Sequence, residues 1–349
     1  MIKPLTSLRI FFALFVFLSH LSFLKNDEQY AKLFDSIFNE GFLWVSFFFI
    51  LSGFILAYNY KDKFLLGSIS KKAFYVSRLA RIYPVHFVTM LVALILGLIS
   101  SSDNVKYILE HILLIQSFFP DQNIYFSLNS PSWSISDEMF FYLLFPFVIF
   151  LNRSKKFLLF ILFMLLIFIL NHKLNDNLKH YWLYISPVIR FSDFLLGILL
   201  FDIFEKVKEV YAKKNSPLIF ELLVIFLFIF FFIFHDKIDL GYRYSIYYWI
   251  PMSLIILIFS LSKVVCDQNS VSNTLSNKYL VWLGEISFCF YLIHLLVIQV
   301  MNHIRVKLSL NIDLLLFSLI IFIFTLIASA IAYKFIEKPL NKKVKEYLL

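Results

Sequence analysis

An all-α, polytopic membrane helical bundle is the fold class this sequence predicts, and three observations carry it. Of 349 residues, 60% are apolar, 45 are Phe and only 16% are charged, whereas soluble domains carry roughly 25% charged residues; the mean hydropathy is +0.81. Apolar stretches near the ~20 residues needed to cross a bilayer recur along the whole chain. Finally, the cations are unevenly distributed. If the N-terminus is cytoplasmic, 22 of the 32 Lys and Arg fall on inside segments and 9 on outside loops, so the positive-inside rule predicts about ten transmembrane helices with both termini cytoplasmic.

The first span is expected at 5–24, LTSLRIFFALFVFLSHLSFL. It has no small-residue cleavage site and reads as a retained helix. Arg9 and His20 lie eleven residues apart, about 16 Å and three turns, which puts both on one face with His20 toward the outside. Snorkelling of Arg9 and a bundle hydrogen bond from His20 would also account for this segment alone. The second span, 41–60, holds FFFILSGFIL. The third, 82–101, is preceded by SKKAFYVSRLARIYP, where Arg78 and Arg81 stand at i and i+3. The chain uses 25 Lys and 7 Arg, and Arg9, Arg78, Arg81 and Arg190 lie within or at the edge of apolar segments. Where Lys is the default cation, such Arg suggest forked recognition of carboxylate or phosphate.

A weaker amphipathic piece at 105–119, VKYILEHILLIQSFF, is too polar to span and is expected to lie on the membrane or fold back into it. The fourth and fifth spans, 138–152 and 156–171, are short and nearly continuous. The block SWSISDEMFFY opens the fourth at the outer face, at the depth of His20; Tyr142 stands at i+4 from Glu138 and shares its face. Trp133 reads as an interfacial anchor and Asp137 as a dipole-stabilised helix cap.

The sixth span, 181–203, carries Arg190 and Asp193 at i and i+3, an internal ion pair. The seventh and eighth, 217–235 and 244–262, complete the apolar middle of the chain, and runs such as 157–170 and 222–234 are apolar all round, hence lipid-facing. The ninth, 279–303, contains GEISFCFYLIHLLVI, in which Ser287, Tyr291 and His294 form one polar stripe; such stripes also serve simply to hold helices together. The tenth, 313–336, leads into FIEKPL. Cys266 and Cys289 have no partner spacing and suggest neither disulfide nor metal site. The formal charge of +9 follows largely from the inside excess facing anionic lipid and excludes no function except that it needs no nucleic acid.

Two polar poles remain. Arg9, Arg78 and Arg81 form a cationic site open to the cytoplasm and suited to a polyphosphate donor; His20, Glu138, Tyr142 and His294 form an outer site suited to proton transfer. A transporter or flippase of a lipid-linked glycan is the alternative class, but it would show inverted repeats and broken helices, and the pattern has neither.

The ordered motifs resemble the acyltransferase 3 family of integral membrane O-acyltransferases. They are Arg9-x10-His20, Ser52-Gly53 within FFFILSGFIL, Arg78-x-x-Arg81 followed by Pro84, the Trp133-Ser134-x-Ser136-x-Glu138 block with Tyr142, the helix of Tyr291 and His294, and the closing FIEKPL. Asp137 occupies a place that is usually small or apolar in that family, and the hydrolase-like extracellular domain of some members is not in this sequence. The resemblance implies one transmembrane acyltransferase domain over 1–349, in a bacterial cytoplasmic membrane among membrane lipids. It further implies acyl transfer, usually acetyl, from cytoplasmic acyl-coenzyme A to a hydroxyl of a cell-surface or lipid-linked glycan such as a lipopolysaccharide, without a resident cofactor or metal. Arg9, Arg78 and Arg81 would clamp the donor phosphates, and a pantetheine arm of roughly 15–20 Å would carry the thioester toward His20. His20 would act as general base, with Glu138 orienting the imidazole or holding the acceptor. Ser134, Tyr142 and loop N–H groups are candidate oxyanion donors, Trp133, Ser136, Tyr291 and His294 candidate acceptor or supporting residues, and an acyl-His20 intermediate is the two-step alternative.

Overall fold

The computed structural model describes residues 2–99, 106–212, 217–261 and 270–349. Helices and the turns that join them make up the described residues, with no strand among them. Ten helices there reach sixteen residues or more: α1 Lys3–Ser19, α2 Leu43–Leu65, α3 Lys71–Ile99, α4 Trp133–Val148, α5 Arg153–Lys173, α6 Pro187–Tyr211, α7 Pro217–Ile233, α8 Ile246–Leu261, α9 Lys278–Lys307 and α10 Leu314–Ala332. A π turn, Tyr333–Glu337, and an eleven-residue helix, α11 Lys338–Leu348, follow. Six stretches, those containing α2, α3, α5, α8, α9 and α10, are long and apolar enough to cross a membrane; α7 is a shorter apolar helix.

Three local expectations need correction. Helix α4 begins at Trp133 rather than 138, so Asp137 lies a turn inside the helix and is fully buried, not a cap. Trp133 is likewise buried rather than set at an interface. The 105–119 piece is not one amphipathic helix: its described part breaks into Ile108–Ile112 and a 3₁₀ turn at Gln116–Phe118, and its polar side chains His111, Gln116 and Ser117 point inward. His111, Gln116 and Ser117 are buried because Ser127, Ser132 and Ser136 meet them inside the protein. Cys266 lies outside the described residues.

Residue contacts divide the chain into two compact units: Met1–Phe11, Leu43–Ser70 and Phe140–Glu285 form one, and Phe12–Phe42, Lys71–Met139 and Ile286–Leu349 the other. The first unit is organised on the crossing of α2 and α6. Glycines make the close approach possible: a Cβ on Gly53 would overlap the Phe194 carbonyl, and one on Gly197 would overlap that of Ile50. Around the crossing, Phe141 packs on Phe49 and Phe194 with ring centroids 4.9 and 5.2 Å apart.

Arg190 and Asp193 form the expected ion pair at 3.1 Å, both fully buried. Arg190 also donates to Ser46 Oγ at 2.9 Å and to the Tyr244 carbonyl, while the Trp249 indole N–H donates to Asp193. These added contacts, to Ser46 and Tyr244 from the guanidinium and from Trp249 to the carboxylate, offset part of the cost of burying the pair. Glu221 on α7 plays a comparable part. It accepts from the backbone of Val271 at 2.7 Å and the hydroxyl of Ser272 at 2.5 Å, tying down the short helix Val271–Leu275.

In the second unit an aromatic triangle joins α1, α9 and α10: Phe17, Phe290 and Phe322 lie 5.8 to 6.0 Å apart. It sits one turn before His20 on α1 and one turn before His294 on α9. The polar stripe Ser287, Tyr291, His294 is buried along its whole length, as the spacing predicts.

Candidate active site

His20 is the first residue past the end of α1. Its backbone N–H closes on the Phe17 carbonyl at 3.1 Å, and its Nδ1 lies 2.8 Å from the Val16 carbonyl oxygen. A carbonyl only accepts, so this contact places the proton on Nδ1 and leaves the Nε2 lone pair available. His294 on α9 repeats the arrangement. Its Nδ1 stands 2.5 Å from the Tyr291 carbonyl, and its Nε2 lies 3.4 Å from His20 Nδ1, with the two rings edge-on at 4.9 Å. His294 is fully buried while His20 is half-buried. His294 is thus enclosed by the protein, while His20 keeps part of its surface open.

The same helix holds the loop before α4. Tyr291 Oη lies 2.8 Å from Ser134 Oγ and donates to the Pro131 carbonyl at 3.1 Å; Ser134 Oγ is 3.0 Å from that carbonyl as well. Asn129 adds a donation to the Leu292 carbonyl at 2.9 Å. Ser136 donates to the Leu114 carbonyl at 2.7 Å and receives Ser117 at 2.7 Å. Behind it, His111 Nε2 meets Ser127 Oγ at 2.8 Å, and burial followed by the neighbouring His86 holds the His111 imidazole down at about 4. Ser134, Ser136 and Tyr291 are therefore engaged in building the loop. Glu138 is half-buried on the next turn of α4, and it and Asp137 lie within electrostatic range of the Tyr291 hydroxyl.

Of the outer residues singled out by sequence, His20, His294, Tyr291 and Ser134 are joined by direct contacts. Tyr142 is buried one turn beyond Glu138, in the part of α4 assigned to the first unit. Among the cations, Arg78 and Arg81 stand a turn apart on α3 in the second unit, and half-buried Arg9 belongs to the first. Arg78 Nε lies 3.3 Å from Ser77 Oγ. Arg81 pairs with Glu337 in the π turn and lies over the Phe288 ring at 5.5 Å, while the Cys289 thiol reaches the other Glu337 oxygen at 3.1 Å. The guanidinium has five N–H donors, so one carboxylate does not exhaust it.

Glu337, Asn129 and the Val16 carbonyl are participants the sequence pattern does not single out. Glu337 had a signal, since an acid amid FIEKPL follows an apolar run and ends up 2% exposed. A backbone carbonyl has none.

Six stretches among the described residues are long and apolar enough to cross a membrane, which places the chain in the class of multi-pass membrane proteins. The chain belongs to the acyltransferase family: the model described as "Acyltransferase domain" matches residues 3–334. Among its relatives is "Acyltransferase MdmB" of Streptomyces mycarofaciens, 37% identical over 153 residues, covering 42% of this chain and 38% of that protein. "Putative O-acetyltransferase SACOL0978" of Staphylococcus aureus (strain COL) is 25% identical over 338 residues, covering 87% and 53%. "Putative acetyltransferase ORF330" of Acidianus two-tailed virus is 25% identical over 287 residues, covering 78% of each. The chain thus spans about half or less of the length of the first two. No solved structure matches it.

Proposed function

We propose that this protein is a ten-span O-acyltransferase of the bacterial cytoplasmic membrane, a single transmembrane domain with both termini in the cytoplasm. It moves an acetyl group from cytoplasmic acetyl-coenzyme A to a hydroxyl of a cell-surface or lipid-linked glycan. The observation that carries the reading is the His20 ring, whose Nδ1 is held at 2.8 Å by the Val16 carbonyl so that Nε2 is left basic.

The reaction follows from that geometry. The acceptor hydroxyl gives its proton to His20 Nε2 as its oxygen bonds to the thioester carbon. The tetrahedral oxyanion then collapses, the C–S bond breaks, and the coenzyme A thiolate takes the proton back from the imidazolium. A thiol with a pKa near 8.5 leaves without a stronger acid. Because Val16 and His294 orient the imidazole, Glu138 is assigned to holding the acceptor. Because the Ser134 hydroxyl is engaged with Pro131 and Tyr291, loop N–H groups are the oxyanion donors. Arg78 and Arg81, a turn apart on α3, hold the donor's phosphates through charge-assisted bonds.

The test is mass spectrometry of surface and lipid-linked glycans from cells with and without the gene, read beside transfer from labelled acetyl-coenzyme A by the purified protein. Gene-dependent O-acetyl groups are expected; glycans unchanged in mass together with no labelled product would overturn the reading.

A further inference from the structure

Away from the histidines, in the first unit, two lysines converge on one carboxylate. Lys61 Nζ, near the end of α2, lies 2.7 Å from Asp202 Oδ1, and Lys156 Nζ, in the first turn of α5, lies 2.5 Å from Asp202 Oδ2. Lys156 is 2% exposed and Asp202 on α6 is 8% exposed, while Lys61 keeps about a quarter of its side chain open at 26%. Each carboxylate oxygen has its own cation, so Asp202 is satisfied and the group retains one net positive charge.

The ammonium groups are not satisfied to the same degree. Each carries three N–H donors. Among the described residues their contacts are Asp202 for both and, for Lys61, the Phe201 ring at 5.2 Å. A buried ammonium with donors left over is costly unless an acceptor completes it. The local field adds to this. The start of a 21-residue helix favours an anion and disfavours a cation, yet α5 opens with Arg153, Lys155 and Lys156, and its cap is the neutral Asn152 side chain, which accepts from the Lys155 N–H at 2.9 Å. An anion placed there removes both penalties together.

We propose that Lys61, Lys156 and the first turn of α5 form a binding site for a phosphate group. Its occupant is either the headgroup phosphate of an anionic phospholipid or a phosphate of a soluble nucleotide-bearing molecule such as coenzyme A. The site uses none of the residues assigned to acyl transfer, and binding there needs no turnover to be seen.

The experiment uses the full chain in detergent. Native mass spectrometry counts retained phosphatidylglycerol against phosphatidylcholine, and equilibrium binding compares coenzyme A with coenzyme A lacking its 3′-phosphate. Lys61→Gln leaves the Lys156–Asp202 pair intact and removes one charge-assisted contact, so phosphate binding is expected to fall about tenfold. Lys61→Arg keeps the charge and is expected to retain most of it, and Lys63→Gln, an exposed neighbour on the same helix, is expected to change nothing. A fall confined to phosphatidylglycerol identifies the lipid; a fall confined to intact coenzyme A identifies the nucleotide. Where Lys61→Gln lowers the melting temperature, the paired variant Lys156→Met/Asp202→Leu removes the buried cation and carboxylate together and is expected to lose the same binding. Lipid and nucleotide binding unchanged in both variants would overturn the proposal and leave an internal ion cluster.

Discussion

Replacing Arg81 by Ala is expected to have two separable consequences, one for folding and one for the donor. Glu337 is 2% exposed and has Arg81 on one oxygen and the Cys289 thiol on the other. Removing the guanidinium leaves a buried carboxylate without its cation, which costs about 3–5 kcal/mol for a fully buried pair. The Arg81 side chain is 30% exposed, so solvent screens part of this and the lower figure, about 3 kcal/mol, applies. At roughly 2 °C per kcal/mol for a chain of this size, the melting temperature should fall by on the order of 6 °C. The double variant Arg81→Ala/Glu337→Gln has no buried charge to strand, and a neutral amide still accepts from Cys289, so most of the stability should return. Affinity for acetyl-coenzyme A should not return, since the proposed phosphate contact is absent in both variants. The assay is thermal unfolding in detergent followed by nucleotide binding on the folded fraction. A double variant as unstable as the single one would refute the buried-pair account. Restored donor affinity in the double variant would remove Arg81 from the donor site.

Other outcomes follow from the same contacts. His294→Gln removes the ring that backs His20 and should lower kcat about three- to tenfold, the range of one neutral hydrogen bond, with the KM for donor unchanged; a change in KM alone would argue against a positioning role. Gly53→Ala forces a methyl into the Phe194 carbonyl, 2.9 Å from its carbon, and should cost about 1–3 kcal/mol in thermal unfolding; wild-type stability would mean the α2–α6 crossing is looser than described. His111 is held at about 4, below its ordinary value near 6.5, chiefly by burial. Its neutral form therefore contributes stability that is fully present above about pH 6.5 and is lost as pH falls toward 4, at about 1.4 kcal/mol per pH unit. Melting temperatures between pH 7 and 5 should fall with at least this slope, and His111→Gln should make it shallower.

Much of the helical framework is legible in the apolar runs. The ten expected stretches fall on the ten longest described helices, and the Arg190–Asp193 pair follows from i, i+3 spacing alone. Hydropathy fails where polar residues are buried by one another. Trp133 and Ser134 look like a loop before a span, yet they open α4 and are buried, and Asp137 one turn on is buried with them. Likewise His111, Gln116 and Ser117 give 105–119 an amphipathic pattern although their partners lie within the protein. The candidate site divides on the same line. His20 and His294 stand out because imidazoles are rare in apolar helices, whereas nothing in the pattern announces that the Val16 carbonyl sets the His20 tautomer or that Glu337 meets Arg81.

The most direct test of the central claim is transfer of labelled acetyl from acetyl-coenzyme A to acceptor glycan by purified His20→Ala, with donor binding and melting temperature measured on the same preparation. A general base contributes typically 10²–10⁴-fold. The account predicts loss of transfer by at least about a hundredfold, with donor affinity and folding kept. Transfer at the wild-type rate by a folded, donor-binding His20→Ala protein would contradict it.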